Sequence, residues 1–375
     1  MKKIALIGCT GSIGRQACEV VRRLKGEFCF SALVSAQNGE ALSALCHEFH
    51  PAYAALYSGA EFDLPNGTKR LSGEDILRHV FDGCDIALIA AGGFAGLAYT
   101  LRAAEEGKRI ALANKESLVC GGELVMDTVE KNAVDLVPID SEHSALWQAL
   151  HFDKKASFRK LILTASGGPF LHATQEQLKS VTAKDALKHP TWKMGAKITI
   201  DCATLLNKGY EVVEAKWLYG ADFSQIEAVV HPESIVHSLV AFEDGALLAQ
   251  MGYPTMELPI QLALTYPKRL PCERHLDVAS LGALHFMPVP EEKFPCYRLA
   301  IEAGKAGGTL PTVLNGAGEE AVQAFLRGSI TFPQIAETIL DALSSIAREE
   351  VQSYEQLKEA DARARTSARR LIYGQ

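Results

Sequence analysis

Several features that would place the chain in a particular class are scarce in this sequence. It has nine cysteines, an odd number, and no C-x-x-C pair, so free thiols in a reducing compartment are expected rather than a disulfide framework. Acidic residues outnumber basic ones by 45 to 38, which gives a formal net charge of -7. Nucleic acids and anionic membranes are therefore not expected as partners, because both bind clustered positive charge.

Long apolar runs are also missing. The longest uncharged run, residues 86–101, is shorter than a membrane-spanning helix and contains glycines. The first strand-like run begins at Lys3, which leaves no room for a signal or transit peptide, so a cytoplasmic location is expected. With 48% hydrophobic residues over 375 positions, the composition suits a globular enzyme of two or three domains.

The first 140 residues alternate short apolar runs with amphipathic helical stretches. The runs lie at 4–7, 28–34, 54–56, 86–91, 110–112 and 134–139. Their apolar residues are continuous rather than alternating, which is typical of a parallel sheet covered on both faces. The fold class expected for residues 1–140 is therefore α/β, with a Rossmann-like doubly wound parallel sheet.

The pattern of apolar and polar residues changes after residue 140. Residues 141–266 mix strand-like runs at 160–164, 228–230 and 246–251 with glycine-rich turns, which predicts an α+β catalytic domain. A proline-bearing stretch at 267–291 predicts a linker. Residues 292–375 are rich in alanine, leucine and charge with helical periodicity, which predicts a C-terminal helical bundle.

A glycine-rich turn directly follows the first strand. Gly8, Gly11 and Gly14 have the spacing G-x-x-G-x-x-G at the start of a helix, a variant of the dinucleotide-binding fingerprint. The next strand ends at Ser35-Ala36-Gln37-Asn38 without the carboxylate that binds the ribose of NAD. This favours NADP, although the usual cationic partner of its phosphate is missing too and the segment could be only a polar turn.

Two acidic segments could hold a metal ion. If the chain is extended at Asp140-Ser141-Glu142, both carboxylates point the same way, and all-oxygen ligation suits Mg2+ or Mn2+. A turn with a helix cap is the other interpretation. Asn207, Lys208 and Glu211 fall on one side of a helix, either as a phosphate and metal site or as a solvated face. Gly209 indicates close approach by another group.

Three further segments could contact a ligand. Ser166-Gly167-Gly168 follows a strand and offers a hydroxyl and backbone N–H groups to an anion. The loop from His189 to Gly195 carries Trp192 and Met194 between a proline and a glycine, which suits a lid, although Trp192 could equally be a core anchor. Lys115 follows the strand at 110–112, where parallel sheets bind ligands; taken singly it would be a surface charge.

Together these segments resemble the 1-deoxy-D-xylulose 5-phosphate reductoisomerase family nearly from end to end. The matching motifs, in the family's order, are G-C-T-G-S-I-G, A-N-K-E-S-L-V, D-S-E-H, S-G-G-P-F, H-P-T-W-K-M-G, D-C-A-T-L-L-N-K-G-Y-E, H-P-E-S-I-V-H-S and P-T-V-L-N. The resemblance implies an NADPH domain, a catalytic domain with a lid at about 167–196, a C-terminal helical domain and a homodimer.

The resemblance also implies roles for individual residues. Metal ligation to Mg2+, Mn2+ or Co2+ falls on Asp140, Glu142 and Glu211. Catalysis falls on Lys115, Glu142, His189 and Glu211. Substrate binding falls on Lys115, Ser141, Glu142, Ser166, His189, Trp192, Met194, Cys202, Asn207, Lys208 and Glu211. Cofactor binding falls on Thr10, Gly11, Ser12, Ile13, Ala36, Gln37, Asn38, Asn114, Glu116 and Gly195.

The implied reaction cleaves the C3–C4 bond of a sugar phosphate, re-forms a branched aldehyde and reduces it to 2-C-methyl-D-erythritol 4-phosphate for isoprenoid synthesis outside the mevalonate route. Two residues depart from the family pattern. Cys202 replaces a phosphate-binding serine, which weakens phosphate binding, and Gln37 replaces a basic residue, which softens NADP selectivity. The alternatives are a related NADP-dependent reductase of another sugar phosphate and a catalytically dead NADPH-binding regulator.

Overall fold

The structure is a computed structural model that describes residues 1–153, 156–192 and 194–374. Lys193, in the H-P-T-W-K-M-G segment, lies outside the described residues. The chain divides into two compact units. Unit 1 comprises Met1–Ser117, Val125–Asp140 and Met256–Cys272, and unit 2 comprises Leu118–Leu124, Ser141–Thr255 and Glu273–Gln375.

Unit 1 is built on a parallel sheet of seven strands. In chain order these are β1 (Lys2–Ile7), β2 (Phe28–Ser35), β3 (Tyr53–Leu56), β4 (Lys69–Leu71), β5 (Ile86–Ile89), β6 (Arg109–Leu112) and β7 (Leu136–Pro138). They are arranged β4-β3-β2-β1-β5-β6-β7, and every neighbouring pair is parallel. This confirms the doubly wound sheet. Strand β4 was not predicted, because only Leu71 of its three residues is buried and the edge position needs no apolar run.

Unit 2 contains a mixed sheet of five strands. These are β8 (Lys160–Ala165), β9 (Ile226–Val230), β10 (Val236–Ala241), β11 (Leu247–Met251) and β12 (Met287–Pro288). The order is β11-β10-β8-β9-β12, and only β8 and β9 run parallel to each other. Strand β10 was not predicted, since His237 and Ser238 interrupt its apolar run although both are buried.

The helices lie between and after these strands. In chain order they are α1 (Ser12–Arg23), α2 (Gly39–Phe49), α3 (Glu74–His79), α4 (Ala95–Glu105), α5 (Lys115–Lys131), α6 (Ser141–Ala149), α7 (Gln175–Leu178), α8 (Ala183–Ala186), α9 (Ala196–Ala203), α10 (Leu206–Tyr219), α11 (Glu257–Thr265), α12 (Pro295–Ala306), α13 (Leu310–Leu326), α14 (Phe332–Ser345) and α15 (Tyr354–Tyr373), with short 3-10 turns at Phe223–Gln225 and Val278–Ser280. Helices α12 to α15 form the helical region expected at the C-terminal end. In the described part of the chain, no helix combines the length and apolarity needed to span a membrane.

The units divide the chain differently from the boundaries expected from the sequence. Helix α11, expected in the catalytic domain, belongs to unit 1. The guanidinium of Arg23 on α1 lies 3.0 Å from Glu257, and the backbone N–H of Met256 donates to Gln16 at 3.2 Å. These contacts, formed over a long sequence separation, tie α11 to α1.

The cysteines are free thiols, as expected, and most of them are buried. Burial raises the pKa of Cys18 and of Cys296 to about 12. Thiols with such high pKa values stay protonated at neutral pH and are poor nucleophiles.

Candidate active site

The glycine-rich turn of unit 1 needs its glycines for close packing. Gly8 has φ +94°, and a Cβ there would lie 2.5 Å from the carbonyl oxygen of Ala90. A Cβ on Gly14 would lie 2.6 Å from the Cα of Cys9. Helix α1 therefore starts directly on the turn with Gly11 as its N-cap. The N–H groups of Ser12 and Ile13 open this helix, which is the arrangement that binds phosphate in dinucleotide folds.

The end of β2 borders this turn. The hydroxyls of Thr10 and Ser35 lie 2.7 Å apart, and the next three residues, Ala36, Gln37 and Asn38, are exposed. The side-chain oxygen of Asn38 accepts a hydrogen bond from the N–H of Ala41 at 2.9 Å and caps α2. Asn38 thus has a structural role, as the polar-turn interpretation expects. Residues 36–38 are at the same time accessible to a ligand, because they are exposed.

Asn114 is held in a buried network at the end of β6. Its amide donates to the carbonyl of Gly93 at 3.0 Å and to Glu116 at 2.8 Å, while its oxygen accepts from the N–H of Ser117 at 3.0 Å. A Cβ on Gly96 would lie 2.9 Å from the amide nitrogen of Asn114. The network fixes Asn114 and Glu116 at the carboxyl end of the strand, where such sheets bind ligands.

Lys115 is buried, not a surface charge. Its ammonium nitrogen lies 2.7 Å from Oδ2 of Asp140, and the two side chains are 7% and 13% exposed. Both residues belong to unit 1, and Asp140 ends its second segment, Val125–Asp140. The pair places a cation beside the first of the three predicted metal ligands.

Of the two interpretations of residues 140–142, the structure has the helical one and not the extended one. Ser141 is the first residue of α6 and Glu142 lies in its first turn, so the helix interpretation of this segment is correct. The chain starts a helix here because Ser141 and Glu142 suit its first turn, where a carboxylate is stabilised by the helix dipole. The Ser141 hydroxyl donates to Oε2 of Glu142 at 2.5 Å.

Helix α10 brings three polar side chains together, as its spacing predicted. The amide of Asn207 donates to Oε1 of Glu211 at 2.5 Å, and the ammonium of Lys208 donates to Oε2 of the same carboxylate. Glu211 is 1% exposed and Lys208 is 3% exposed, so the solvated-face interpretation is wrong. The close approach indicated by Gly209 comes from α12, since a Cβ on Gly209 would lie 2.5 Å from the Cβ of Ala300.

Lys208 also joins α10 to α6. Its ammonium donates to Oε1 of Glu142 at 2.8 Å, so two carboxylates share one cation. Burial by itself would lower the pKa of Lys208, but Glu142 and Glu211 outweigh that effect and the pKa is raised. Two carboxylates directed at one positive charge form an oxygen-rich site that fits a hard divalent cation such as Mg2+.

Ser166 and His189 form a second polar group in unit 2. The Ser166 hydroxyl lies 3.0 Å from Nε2 of His189, and Nδ1 of His189 accepts from the N–H groups of Thr191 and Trp192 at 3.2 and 2.9 Å. Since Nδ1 is an acceptor, neutral His189 carries its proton on Nε2. Burial lowers the pKa of His189, which favours this neutral form.

The remaining predicted residues lie around α9. Gly195 is the N-cap of this helix and Cys202 lies in its last turn, half-buried. Gly168 has φ +67°, and a Cβ there would lie 2.9 Å from the carbonyl oxygen of Cys202. Trp192 and Met194 are half-buried, so Trp192 is not a core anchor.

Several histidines that the sequence interpretation gave no role belong to the same unit. His237 lies with its ring centroid 6.1 Å from that of Trp192, and burial lowers the pKa of His237 to about 4. Nε2 of the buried His143 lies 3.1 Å from Oε2 of Glu214. The H-P-E-S-I-V-H-S and D-S-E-H motifs contain both histidines, but their partners are distant in the sequence and could not be identified from it.

The parallel sheet with its glycine-rich turn suits a nucleotide, and the carboxylates that converge on Lys208 suit a divalent cation. These features define the class of nucleotide-dependent enzymes that act on anionic substrates. Family models place the chain within that class. Residues 4–122 match the model of 1-deoxy-D-xylulose 5-phosphate reductoisomerase, and residues 136–219 and 251–367 match models of its C-terminal domains. The chain belongs to the 1-deoxy-D-xylulose 5-phosphate reductoisomerase family.

Individual relatives agree with this assignment. The chain is 47% identical to the 1-deoxy-D-xylulose 5-phosphate reductoisomerase of Geobacillus sp. (strain WCH70), over 99% of this chain and 100% of the relative, and 48% identical to that of Geobacillus kaustophilus over the same shares. A crystal structure of a reductoisomerase in complex with NADPH, fosmidomycin and magnesium superimposes with a TM-score of 0.93 at 36% identity, and the Zymomonas mobilis enzyme in complex with NADPH with a TM-score of 0.90 at 34% identity; both cover 100% of each chain.

Proposed function

We propose that this chain converts 1-deoxy-D-xylulose 5-phosphate to 2-C-methyl-D-erythritol 4-phosphate, using NADPH and a divalent metal ion, in the non-mevalonate route to isoprenoids. The observation that carries the proposal is the convergence of Glu142 and Glu211 on the single ammonium group of Lys208. Full-length relatives named for this activity, and a related structure that holds NADPH and magnesium, support it.

The metal site would comprise Asp140, Glu142 and Glu211. Mg2+, Mn2+ or Co2+ suits these oxygen ligands, and when bound it would act as a Lewis acid on the substrate oxygens. Ser141 orients Glu142 through a 2.5 Å hydrogen bond, and Asn207 orients Glu211 through another of 2.5 Å. These contacts fix the direction of both carboxylates before any ligand binds.

The substrate would be bound by side chains that carry donors. Lys115, Ser141 and Glu142 would meet its hydroxyls and carbonyl. The Nε2–H of His189, now bonded to Ser166, would turn to the phosphate together with the Ser166 hydroxyl, and Asn207 and Lys208 would complete that site beside Cys202. Trp192 and Met194, on a lid at about 167–196, would cover the substrate and exclude water from the cleaved fragments.

The cofactor would bind to the turn after β1 and the ends of β2 and β6. Its proposed contacts are Thr10, Gly11, Ser12, Ile13, Ala36, Gln37, Asn38, Asn114, Glu116 and Gly195. We also propose three functional domains: an NADPH domain at 1–140, a catalytic domain at 141–266 and, after the linker at 267–291, a C-terminal helical domain at 292–375.

A homodimer in the cytoplasm is proposed as the working form. Strand β11 is an edge strand of the unit 2 sheet, and its residues carry no charge. Leu247 and Leu248 on it are 54% and 39% exposed. An uncharged, exposed edge strand favours pairing with another strand, and a second copy of the chain would supply one.

The test is a turnover assay with 1-deoxy-D-xylulose 5-phosphate, in which NADPH oxidation is followed by absorbance with Mg2+ or Mn2+. Glu211→Gln should abolish turnover while NADPH still binds, because the proposed cofactor contacts lie almost entirely in unit 1. Glu227→Gln, which alters an exposed pair with Lys160, is the matched control. The proposal would be refuted if the wild-type chain showed no turnover with either metal ion and with either NADPH or NADH.

A further inference from the structure

A buried ionisable pair lies behind the two converging carboxylates of unit 2. His143 and Glu214 are 0% and 1% exposed, and Nε2 of His143 lies 3.1 Å from Oε2 of Glu214. His143 follows Glu142 directly on α6, and Glu214 follows Glu211 by three residues on α10. The pair therefore joins the two helices immediately beside the residues that converge on Lys208.

A second contact ties the same two helices together. The hydroxyl of Tyr219, the last residue of α10, donates to the backbone carbonyl of His143 at 2.5 Å. The rings of His143 and Tyr219 lie 6.1 Å apart between centroids. Helix α10 thus holds His143 both by its side chain, through Glu214, and by its backbone, through Tyr219.

Stability alone does not explain these polar groups. Replacing a buried ion pair with apolar side chains of similar volume is often neutral or stabilising, so a buried pair is weak evidence for a stabilising role. Groups behind metal ligands, in contrast, commonly orient those ligands. The position of His143, next to Glu142 and bound to the helix of Glu211, suits the second role.

We propose that Glu214 and Tyr219 are positioning residues that act through His143. They hold α6 against α10 and so set the separation between the carboxylates of Glu142 and Glu211, which in turn sets the affinity for a divalent cation. This inference rests on the proposed function, in which these two carboxylates bind the metal.

The experiment measures binding of Mn2+ alone to the full-length chain by electron paramagnetic resonance, without substrate. Glu214→Ala should weaken Mn2+ binding by roughly tenfold or more, as removal of an outer partner of a metal site commonly does. Glu214→Gln should stay within about threefold of wild type, since the amide has the shape of the carboxylate and keeps an oxygen in contact with Nε2 of His143. Tyr219→Phe, which loses only a hydroxyl, should weaken binding by roughly threefold to tenfold.

Asp361→Ala is the matched structural control. It removes a buried carboxylate that pairs with Arg365 at 2.6 Å within α15, so it should lower the melting temperature without changing Mn2+ affinity. If Glu214→Ala and Tyr219→Phe bind Mn2+ as tightly as wild type while Glu211→Gln does not, the positioning role is overturned. If Glu211→Gln also binds normally, the proposed metal site fails instead. Should Glu214→Ala not fold, Tyr219→Phe carries the test.

Discussion

The ammonium nitrogen of Lys208 lies 2.8 Å from Oε1 of Glu142, a residue 66 positions earlier in the chain, and also contacts Glu211. One positive charge thereby faces two negative ones, at a site where Lys208 and Glu211 are buried and Glu142 is half-buried. The lysine offsets the charge of only one of the two carboxylates, and a divalent cation would offset the negative charge that remains. Lys208 therefore holds the two carboxylates together, and its removal should reveal how much the site depends on a positive charge there.

Lys208→Met should destabilise the chain in the presence of EDTA by about 3 kcal/mol or more, because it leaves the buried carboxylate of Glu211 and the half-buried one of Glu142 without their partner. Mg2+ should recover more stability in this variant than in wild type, since the ion supplies the missing charge. Urea unfolding with EDTA and with Mg2+ measures both effects.

Lys160→Met is the control for that experiment. It removes an exposed partner of Glu227 at 2.7 Å, and such surface pairs contribute about 0–1 kcal/mol. Equal destabilisation by the two substitutions would show that the environment of Lys208 does not differ from a surface pair.

Ser166→Ala and His189→Ala should each reduce kcat/KM by roughly tenfold to a hundredfold, the range for losing a hydrogen bond to a charged group. His189→Ala should raise KM strongly and also lower kcat if, as proposed, His189 lies on a lid that closes over the substrate. Steady-state kinetics separates the two constants. His172, exposed in the same segment, offers His172→Ala as the control, and an equal loss there would contradict a specific role for His189.

His237 should make stability depend on pH. Burial lowers the pKa of His237 from its ordinary value of 6.5 to about 4, so between these values the unfolded chain binds the proton and the folded chain does not. Stability from this residue is therefore complete above pH 6.5 and lost as the pH falls, by about 3 kcal/mol near pH 4. Denaturant unfolding of wild type and His237→Phe across this range measures the difference.

His237→Phe also changes the unfolding free energy at every pH, because it removes the hydrogen bonds of the histidine to the backbone of Gly252 and Tyr253. The informative quantity is therefore the change of the difference with pH. A difference in unfolding free energy that stays constant from pH 7 to pH 4 would refute a buried neutral histidine.

Gly209→Ala should destabilise unit 2 by roughly 1–3 kcal/mol, since its Cβ would overpack against Ala300. Ala300→Gly in the same chain should restore part of the loss, and thermal unfolding of the two single variants and the double variant measures this coupling. Gly92→Ala is the control, since a Cβ there meets nothing within 4 Å among the described residues. Additive single and double effects would contradict direct packing between α10 and α12.

Local patterns in the sequence were sufficient for much of the fold. The continuous apolar runs predicted every strand of the parallel sheet except β4, whose two charged residues give no such run. The spacing of Asn207, Lys208 and Glu211 predicted their common helix face. The sequence did not predict strand β10, because the polar residues His237 and Ser238 interrupt its apolar run. Tertiary packing buries both of them, and the periodicity of the sequence does not encode that burial.

What the sequence determined by itself is the family, the nucleotide-binding turn and the set of polar residues offered to a ligand, since these depend on residue type and short spacing. Only the tertiary structure decided that Ser141 starts a helix, that Lys208 bridges Glu142 and Glu211, and that His143 is held by Glu214 and Tyr219. These contacts join residues far apart in the chain, and their partners are selected by burial, where unpaired charges and hydrogen-bonding groups are costly.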